Sequence, residues 1–279
     1  GGTAVSGKTD GTKSFSFTVK ESNTVTINTA AIAYTKPTGS GFTTNLPDVL
    51  QFGSTVEFTV TPTAGNYITT VLHNDNELTP SATDADGTKH YSFMVSKSNA
   101  LTVNTAAIGY TKLTGDNLTT NLPDNLSDKQ IGSIVEFTVT PKEGKGILEV
   151  THNYNSLSPS ASDTDGTGHY SFTVTEKNNI IVAMTPDKVG NAYEITNTAQ
   201  LYWFAEQVNN GNTDINAVLT ADIVVNEHVL DADGNLNGES AGFRVWTPIG
   251  IDTDGQKYEG TFDGQGHTIS GLYIDDEKK

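Results

Sequence analysis

The stretch that decides the fold reads GSTVEFTVTP over residues 53–62 and returns as GSIVEFTVTP over residues 132–141. In both copies, Val and Phe alternate with Glu and Thr. Such alternation places apolar side chains on one face of an extended chain and polar side chains on the other. Because the run occurs twice, 79 positions apart, the chain contains an internal repeat. A repeat with this two-residue period predicts tandem β modules.

The repeat extends outward from this run. Three further stretches recur: residues 30–36 return at 106–112, residues 43–48 at 119–124, and residues 84–93 at 163–172. The first two recur after 76 positions and the last after 79, which predicts three inserted residues between Asp124 and Gly132. We expect a loop to hold them, because an insertion within a strand would turn its side chains to the wrong face.

The repeats predict the organisation of the first two thirds of the chain. Residues 1–30 match only the last strands of a repeat, whereas residues 31–106 and 107–186 each contain a whole one. Asp-Gly pairs stand just before strand-like runs and favour tight turns there. Each whole repeat is predicted to be a small antiparallel β-sandwich, or a related all-β module, of four to six short strands.

Residues 187–279 follow a different pattern. Apolar side chains at helical spacing predict one amphipathic helix. Its buried face is expected to comprise Leu201, Phe204, Ala205 and Val208. Asn197 and Gln200 form a pair like a capping box at its start, and Gly211 stands where it would end. Short strand-like stretches follow this helix.

Two resemblances rest on these residues. The phrase GSxVEFTVTP, followed by HYSFxV and a TVNT strand, resembles the tandem Ig-like or divergent internalin-type repeats of Gram-positive surface proteins. WTPIG at residues 246–250 and GTFDGQGHTISGL at 260–272 resemble the opening of the right-handed parallel β-helix in bacterial surface proteins with GLUG-type repeats. There a helix caps the solenoid, so residues 187–279 would be the capping helix and first coils. The resemblances imply an all-β protein that is extracellular, either displayed at the bacterial surface or secreted.

The composition excludes several classes of partner. The chain has 33 Asp and Glu against 16 Lys and Arg, a net charge of −17, and a single arginine, Arg244. Nucleic acid is not expected as a partner, because phosphate binding needs clustered cations. No stretch approaches the roughly 20 apolar residues of a membrane span, so no membrane insertion is expected. The chain has no cysteine. As a separate expectation, the protein is a monomer.

Enzymatic activity is not expected. Asp222, Asp263 and His267 are the only combination that suggests glycoside hydrolysis, and no positioned acid and base accompany it. A turn-forming role suits Asp263 better, because it lies between Phe262 and Gly264.

Repeated polar and aromatic residues are the candidate binding positions, because a repeated module gains avidity for a repeated partner and Tyr is favoured at interfaces. They are Tyr34, Tyr110, His73, Asn74, His152, Asn153, His90 and His169. The alternative is that these residues were kept by duplication and serve as core, strand or turn residues.

An acidic loop is the candidate metal site. Hard oxygen ligands alternate along it, at Asp231, Asp233, Asn235 and Asn237, as in calcium loops. In the register of an EF-hand, however, Val229 would occupy the first ligand position, so a solvated loop is the competing interpretation. Calcium is the only cofactor that the sequence suggests.

The function predicted from these features is non-enzymatic adhesion to a host macromolecule. The ligand would be a matrix protein, a glycan or an immunoglobulin, including a superantigen-like immunoglobulin-binding role. One alternative is a passive stalk that displays a β-helix. Another is a carbohydrate-active β-helix enzyme whose catalytic coils lie outside residues 1–279.

Overall fold

The computed structural model describes residues 3–7, 12–237, 242–250 and 257–275. The chain forms two compact units. The first comprises Gly1–Tyr110, Pro123–Val135 and Phe172–Asn178, and the second comprises Thr111–Leu122, Glu136–Ser171 and Asn179–Lys279. The division falls within the second sequence repeat.

Strands account for most of the regular structure in the first repeat and ahead of it. An antiparallel hairpin of β1 (Thr3–Gly7) and β2 (Lys13–Ser16) comes first. The first repeat then contains β3 (Ala33–Thr35), β4 (Phe42–Thr44), β5 (Thr55–Pro62), β6 (Asn66–His73), β7 (Asn76–Glu77), β8 (Ala82–Thr83), β9 (Lys89–Met94) and β10 (Ser98–Ala107).

These strands form two four-stranded sheets. One has the order β4-β5-β9-β8 and is antiparallel throughout. The other has the order β3-β10-β6-β7, in which β3 lies parallel to β10 and the remaining pairs are antiparallel.

Side chains from both sheets share one hydrophobic core. It comprises Phe42, Leu46, Leu50, Phe58, Val60, Ile68, Val71, Tyr91, Phe93, Val95 and Leu101. The Phe58 ring stacks on Tyr91 at 5.6 Å and meets Phe93 edge-on at 5.9 Å. Each fully buried side chain of this size stabilises the fold by about 1.5–3 kcal/mol relative to an exposed one. The predicted alternation in this run is confirmed, because Phe58 and Val60 are buried and Glu57 is exposed.

A β-bulge adjusts the core face of β6. Ile68 and Val71 are both buried, although a regular strand would direct residues three apart to opposite faces. The pairing of β6 with β10 shifts register between Ile68 and Thr70, so the residue between them is an extra one. The second repeat shows the same shift between Ile147 and Glu149.

The second repeat has the same order of elements. Its strands are β11 (Gly109–Thr114), β12 (Leu118–Thr120), β13 (Ile134–Pro141), β14 (Ile147–His152), β15 (Asn155–Ser156), β16 (Ala161–Ser162), β17 (Gly168–Thr173) and β18 (Lys177–Met184). The sheet orders β12-β13-β17-β16 and β11-β18-β14-β15 match those of the first repeat strand for strand.

The three inserted residues, 127–129, lie in the loop between β12 and β13, as predicted. Within the first unit this loop contacts the turn between β5 and β6. The Gly65 N–H donates to the Lys129 carbonyl at 2.7 Å. Gly65 has a φ of +76°, and a Cβ there would lie 2.5 Å from the Ser127 carbonyl oxygen, so glycine is required.

The C-terminal block combines one helix with mostly parallel strand pairs. Its elements are β19 (Lys188–Val189), β20 (Ala192–Ile195), α1 (Thr198–Asn209), β21 (Asn216–Leu219), β22 (Ile223–Val224), β23 (Phe262–Asp263) and β24 (Ile269–Ser270). A sheet of order β19-β20-β21-β23 begins with an antiparallel hairpin and continues with parallel pairs, and β22 pairs with β24 in parallel.

The helix has the predicted position and buried face. The Asn197 side chain is its N-cap and accepts a hydrogen bond from the Gln200 N–H at 3.0 Å. In a standard capping box the Gln200 side chain would accept a hydrogen bond from the N–H of Asn197. Here it accepts from the N–H of Thr196 instead. The buried positions are Gln200, Leu201, Phe204, Ala205 and Val208.

Polar side chains connect successive parallel segments of this block. Asn216 accepts from the Thr261 N–H at 2.8 Å, and Asp222 accepts from the Thr268 N–H at 2.8 Å. Asn226 donates to the Gly271 carbonyl at 2.8 Å. These contacts satisfy backbone groups that the short strands leave unpaired.

The described chain is therefore all-β apart from one helix, as predicted. The predicted boundaries at 30/31, 106/107 and 186/187 stay predictions. Within the described residues, no helix is long and apolar enough to span a membrane.

Candidate functional site

Two of the predicted binding residues form a repeated hydrogen-bond motif with the preceding turn. His90 Nε2 lies 2.9 Å from Asp84, and His169 Nε2 lies 3.0 Å from Asp163. Both histidines are about 40% exposed at the side chain. Each therefore has an internal partner while keeping part of its ring at the surface.

His73 and Asn74 lie at the hairpin between β6 and β7. Asn74 and Asp75 have φ values of 50° and 63°, which fits a two-residue hairpin turn. The Asn74 side chain donates to the Ser98 carbonyl and accepts from the Ala100 N–H, both at 2.9 Å. His73 packs against a core aromatic ring and lies 3.1 Å from the Asn99 side chain.

His152 and Asn153 occupy the same positions between β14 and β15. Asn153 and Tyr154 have φ values of 50° and 65°, and the Asn153 side chain accepts from the Asn179 N–H at 2.8 Å. The repeated asparagines therefore hold hairpin turns in both repeats. Tyr154 at the turn is 81% exposed.

Tyr34 and Tyr110 have different surroundings although they are repeat counterparts. The Tyr34 hydroxyl donates to the Pro47 carbonyl at 3.0 Å. The Tyr110 hydroxyl is buried without a hydrogen-bond partner beside a cavity of about 250 Å³. Burial raises the pKa of both phenols. Among the described residues that line this cavity, Tyr110 is the only predicted binding residue.

The predicted calcium loop is held by its own backbone. Asp231 accepts from the N–H groups of Asp233 and Asn235, both at 2.9 Å, and these donors hold the pKa of Asp231 below its ordinary value. The Asn237 side chain donates to the His228 carbonyl at 3.1 Å. Among the described residues, no group of three His, Asp or Glu side chains is placed to hold a metal ion. Calcium at this loop stays a prediction.

The residues considered for catalysis serve turns and strand connections. His267 Nδ1 lies 3.4 Å from the Asp222 carboxylate, which also accepts the Thr268 N–H. Asp263 accepts from the Gln265 N–H at 3.0 Å, which confirms the turn-forming role.

A concave site that was not predicted from the sequence lies in the second unit. A cleft of about 650 Å³ opens between one face of α1, the β14–β15 hairpin and residues 244–247. We call it the α1 cleft. Its lining includes Glu149, Ser156, Tyr202, Trp203, Glu206 and Arg244. The helix can contribute a face because its opposite face, with Leu201 and Phe204, is buried in the core.

An ion pair fixes one wall of the α1 cleft. Arg244 donates to the Glu149 carboxylate at 2.7 Å, and the Ser156 hydroxyl donates to the same oxygen at 2.5 Å. The Glu149 side chain is 18% exposed and that of Arg244 is 38% exposed. A charge-assisted pair with this partial burial holds both side chains in place.

Aromatic rings beside this ion pair form another wall. The Arg244 guanidinium lies 5.1 Å from the centre of the Tyr202 ring, and Trp246 meets that ring edge-on at 5.3 Å. Burial raises the pKa of Tyr202. Trp203 is half-buried and meets Tyr193 edge-on at 5.0 Å. The rings are held by their neighbours, so the wall is preformed.

Differences between the two repeats could have indicated this site from the sequence. Glu149 stands where the first repeat has Thr70, and Ser156 stands where it has Glu77. The second repeat therefore departs from the first at the positions that face the cleft. The single arginine of the chain is the other signal.

Comparison of the chain with protein-family models, with curated proteins and with solved structures found no match. The function is therefore inferred from the geometry of the described residues.

Proposed function

We propose that this chain is a non-enzymatic extracellular binding protein of the bacterial-surface type, and that the α1 cleft is its ligand site. The observation that carries the proposal is the preformed cleft of about 650 Å³ in the second unit, where rings, a carboxylate and a paired arginine converge. Ligand sites in proteins are typically concave, with aromatic walls and a few convergent polar groups.

In this proposal, each repeat is a small Ig-like β-sandwich. The support is that two four-stranded sheets contribute side chains to one core in the first repeat, and that the second repeat has the same strand orders. Residues 187–279 are proposed as the helix-capped start of a right-handed parallel β-helix. The support is the succession of parallel pairs, β20 with β21, β21 with β23, and β22 with β24.

A glycan is the ligand class that the lining favours. Trp203 presents a partly buried ring, on whose exposed part the C–H face of a sugar packs, and Glu206 is exposed within one helical turn of it. Carboxylate, hydroxyl and amide groups then bind sugar hydroxyls. Glycans of host matrix proteins or immunoglobulins carry this chemistry.

Binding without catalysis fits the charged groups of the cleft. Glu149, the more buried carboxylate, is engaged by both Arg244 and Ser156. A general acid needs a carboxyl group that is free to donate its proton to the substrate. Glu149 instead serves to position the arginine.

A glycan array tests the proposal. The full chain is expected to bind a defined set of glycans, and Trp203→Ala is expected to reduce the signal about tenfold or more, since it removes the stacking surface. Tyr154→Ala is the matched control, because it removes an exposed ring outside the cleft lining. Unchanged glycan binding by the Trp203→Ala variant would exclude the α1 cleft as the glycan site.

A parallel arm separates glycan from protein recognition. Immunoglobulin and matrix glycoproteins are offered before and after enzymatic removal of their glycans. Retained binding after removal would contradict the glycan assignment and favour a protein surface as the ligand.

A passive stalk is the second candidate, and one observation favours it. The repeated polar side chains at the two hairpin turns and beside the two Asp-Gly turns have internal partners, as expected of structural residues. If no glycan on the array binds the chain and no glycoprotein is captured, the results would support the passive stalk.

A further inference from the structure

Charge is distributed unevenly along the α1 cleft. Among the described residues that line it, three carry a charged side chain: Glu149, Glu206 and Arg244. The Arg244 guanidinium lies 2.7 Å from the Glu149 carboxylate, so these two charges offset each other. Glu206 is exposed and, in the part of the chain that the structure describes, has no ion-pair partner. In this described lining, the uncompensated charge is therefore a carboxylate.

The end of α1 adds to this negative charge. Ala205, Glu206 and Asn209 line the cleft and belong to the C-terminal end of the helix, which ends at Asn209. The C-terminal end of a helix carries partial negative charge, and a basic side chain in the last turn would offset it. The last turn of α1 contains no basic residue. The helix end and Glu206 therefore give this part of the cleft a negative potential.

Glu206 is also an unfavourable residue for the helix that carries it. A carboxylate near a helix C-terminus interacts unfavourably with the helix dipole, so a neutral side chain would suit this exposed position better. Departures from such local rules are expected at functional sites. Glu206 follows Trp203 by three residues and Tyr202 by four, and residues at this spacing are neighbours on one helix face. The carboxylate thus lies beside the aromatic wall on which the sugar would pack.

We propose that Glu206 sets the ligand selectivity of the α1 cleft by excluding sugars that carry a carboxylate. This inference rests on the proposed function, because it concerns the same cleft. A glycan that ends in a neutral sugar binds. The same glycan capped by an acidic sugar, such as a sialic acid, is repelled by Glu206 and by the end of α1. Arg244 does not reverse this repulsion, because the Glu149 carboxylate beside it offsets its charge.

Three matched forms of one glycan separate the effect of charge from that of size. The first is the neutral glycan that binds most strongly on the array, and the second carries an added terminal sialic acid. The third carries the same sialic acid with its carboxylate converted to an amide, which has nearly the same size and no charge. The full chain is expected to bind the amide form about threefold or more tightly than the acid form in about 0.01 M salt, where the screening length is about 30 Å. In about 1 M salt, where this length is about 3 Å, the two forms should bind equally.

Glu206→Gln is expected to bring the ratio of the two affinities close to one in low salt, because it removes the charge and keeps the shape of the side chain. The ratio is the readout, since an amide side chain also binds sugar hydroxyls. Glu227→Gln is the matched control and should keep the wild-type ratio, because Glu227 is exposed in the same block and is not among the lining residues. Thermal denaturation of Glu206→Gln should show a midpoint at or slightly above that of wild type, which excludes misfolding as the cause.

The possible failures are distinguishable. Equal binding of the acid and amide forms by wild type in low salt, or an unchanged ratio in Glu206→Gln, would overturn this inference while the glycan site itself stands. Weak binding of both capped forms would overturn it too, because size rather than charge would then exclude the sialic acid. If no glycan on the array binds, the proposed function and this inference both fail.

Discussion

At the scale of single residues, Gly271 shows how closely the chain segments of the C-terminal block approach one another. Gly271 has a φ of +72°, and a Cβ there would lie 1.9 Å from the Asn226 carbonyl oxygen. The Asn226 side chain in turn donates to the Gly271 carbonyl at 2.8 Å. The residue thus needs both a left-handed backbone and the lack of a side chain.

Gly271→Ala is therefore expected to lower the free energy of unfolding of the C-terminal block by about 2 kcal/mol or more. Chemical denaturation followed by tryptophan emission measures it, because Trp203 and Trp246 both belong to this block. Gly115→Ala is the control, since a Cβ at Gly115 meets nothing within 4 Å. Equal midpoints for the two variants would contradict the close approach.

Two aspartates give the repeats a pH dependence. Asp86 accepts the Thr88 N–H and Asp165 accepts the Thr167 N–H, both at 2.9 Å, and these donors hold the pKa of each carboxyl below its ordinary value. A lowered folded pKa stabilises the fold fully above the ordinary carboxyl pKa of about 4. That stabilisation is lost as the pH falls through the folded pKa.

We expect the stability difference between wild type and Asp86→Ala/Asp165→Ala to be full at neutral pH and to shrink as the pH falls below about 4. Denaturation midpoints measured across this range test it. Asp116→Ala, at an exposed loop residue, should follow wild type throughout. A difference that stays constant with pH would show that the turn carboxylates do not act through their charge.

At the scale of elements, the helix shows what sequence could predict. Helical spacing and the pair Asn197 and Gln200 indicated its start, and the structure begins α1 at Thr198. The bulge in β6 was outside the reach of the pattern, because the spacing of three residues between Ile68 and Val71 does not fit a strict strand period. Only the pairing with β10 shows why both are buried.

Asn197→Ala is expected to reduce the free energy of unfolding by about 1 kcal/mol, because it removes the acceptor for the Gln200 N–H. Asn197→Asp keeps an acceptor and should retain most of the stability. Circular dichroism and tryptophan emission during denaturation measure both variants. A loss by Asn197→Asp as large as that by Asn197→Ala would argue against a capping role.

At the scale of the whole molecule, the internal repeat was the sequence feature that predicted most of the architecture. It indicated two copies with the same strands, and it placed the three inserted residues in a loop, where they contact Gly65. The α1 cleft was not predictable in this way, since it brings Glu149 to Arg244 across 95 positions. Period and motif describe neighbours along the chain, whereas this site depends on long-range packing.

Tryptophan fluorescence tests the central claim, that the α1 cleft binds the ligand, most directly. The chain has two tryptophans, and Trp246→Phe leaves Trp203 as the single reporter in the cleft lining. Titration with the glycan that binds most strongly on the array is expected to shift or quench Trp203 emission, with a midpoint equal to the binding constant measured independently. Binding of that glycan without any change in Trp203 emission would contradict the account.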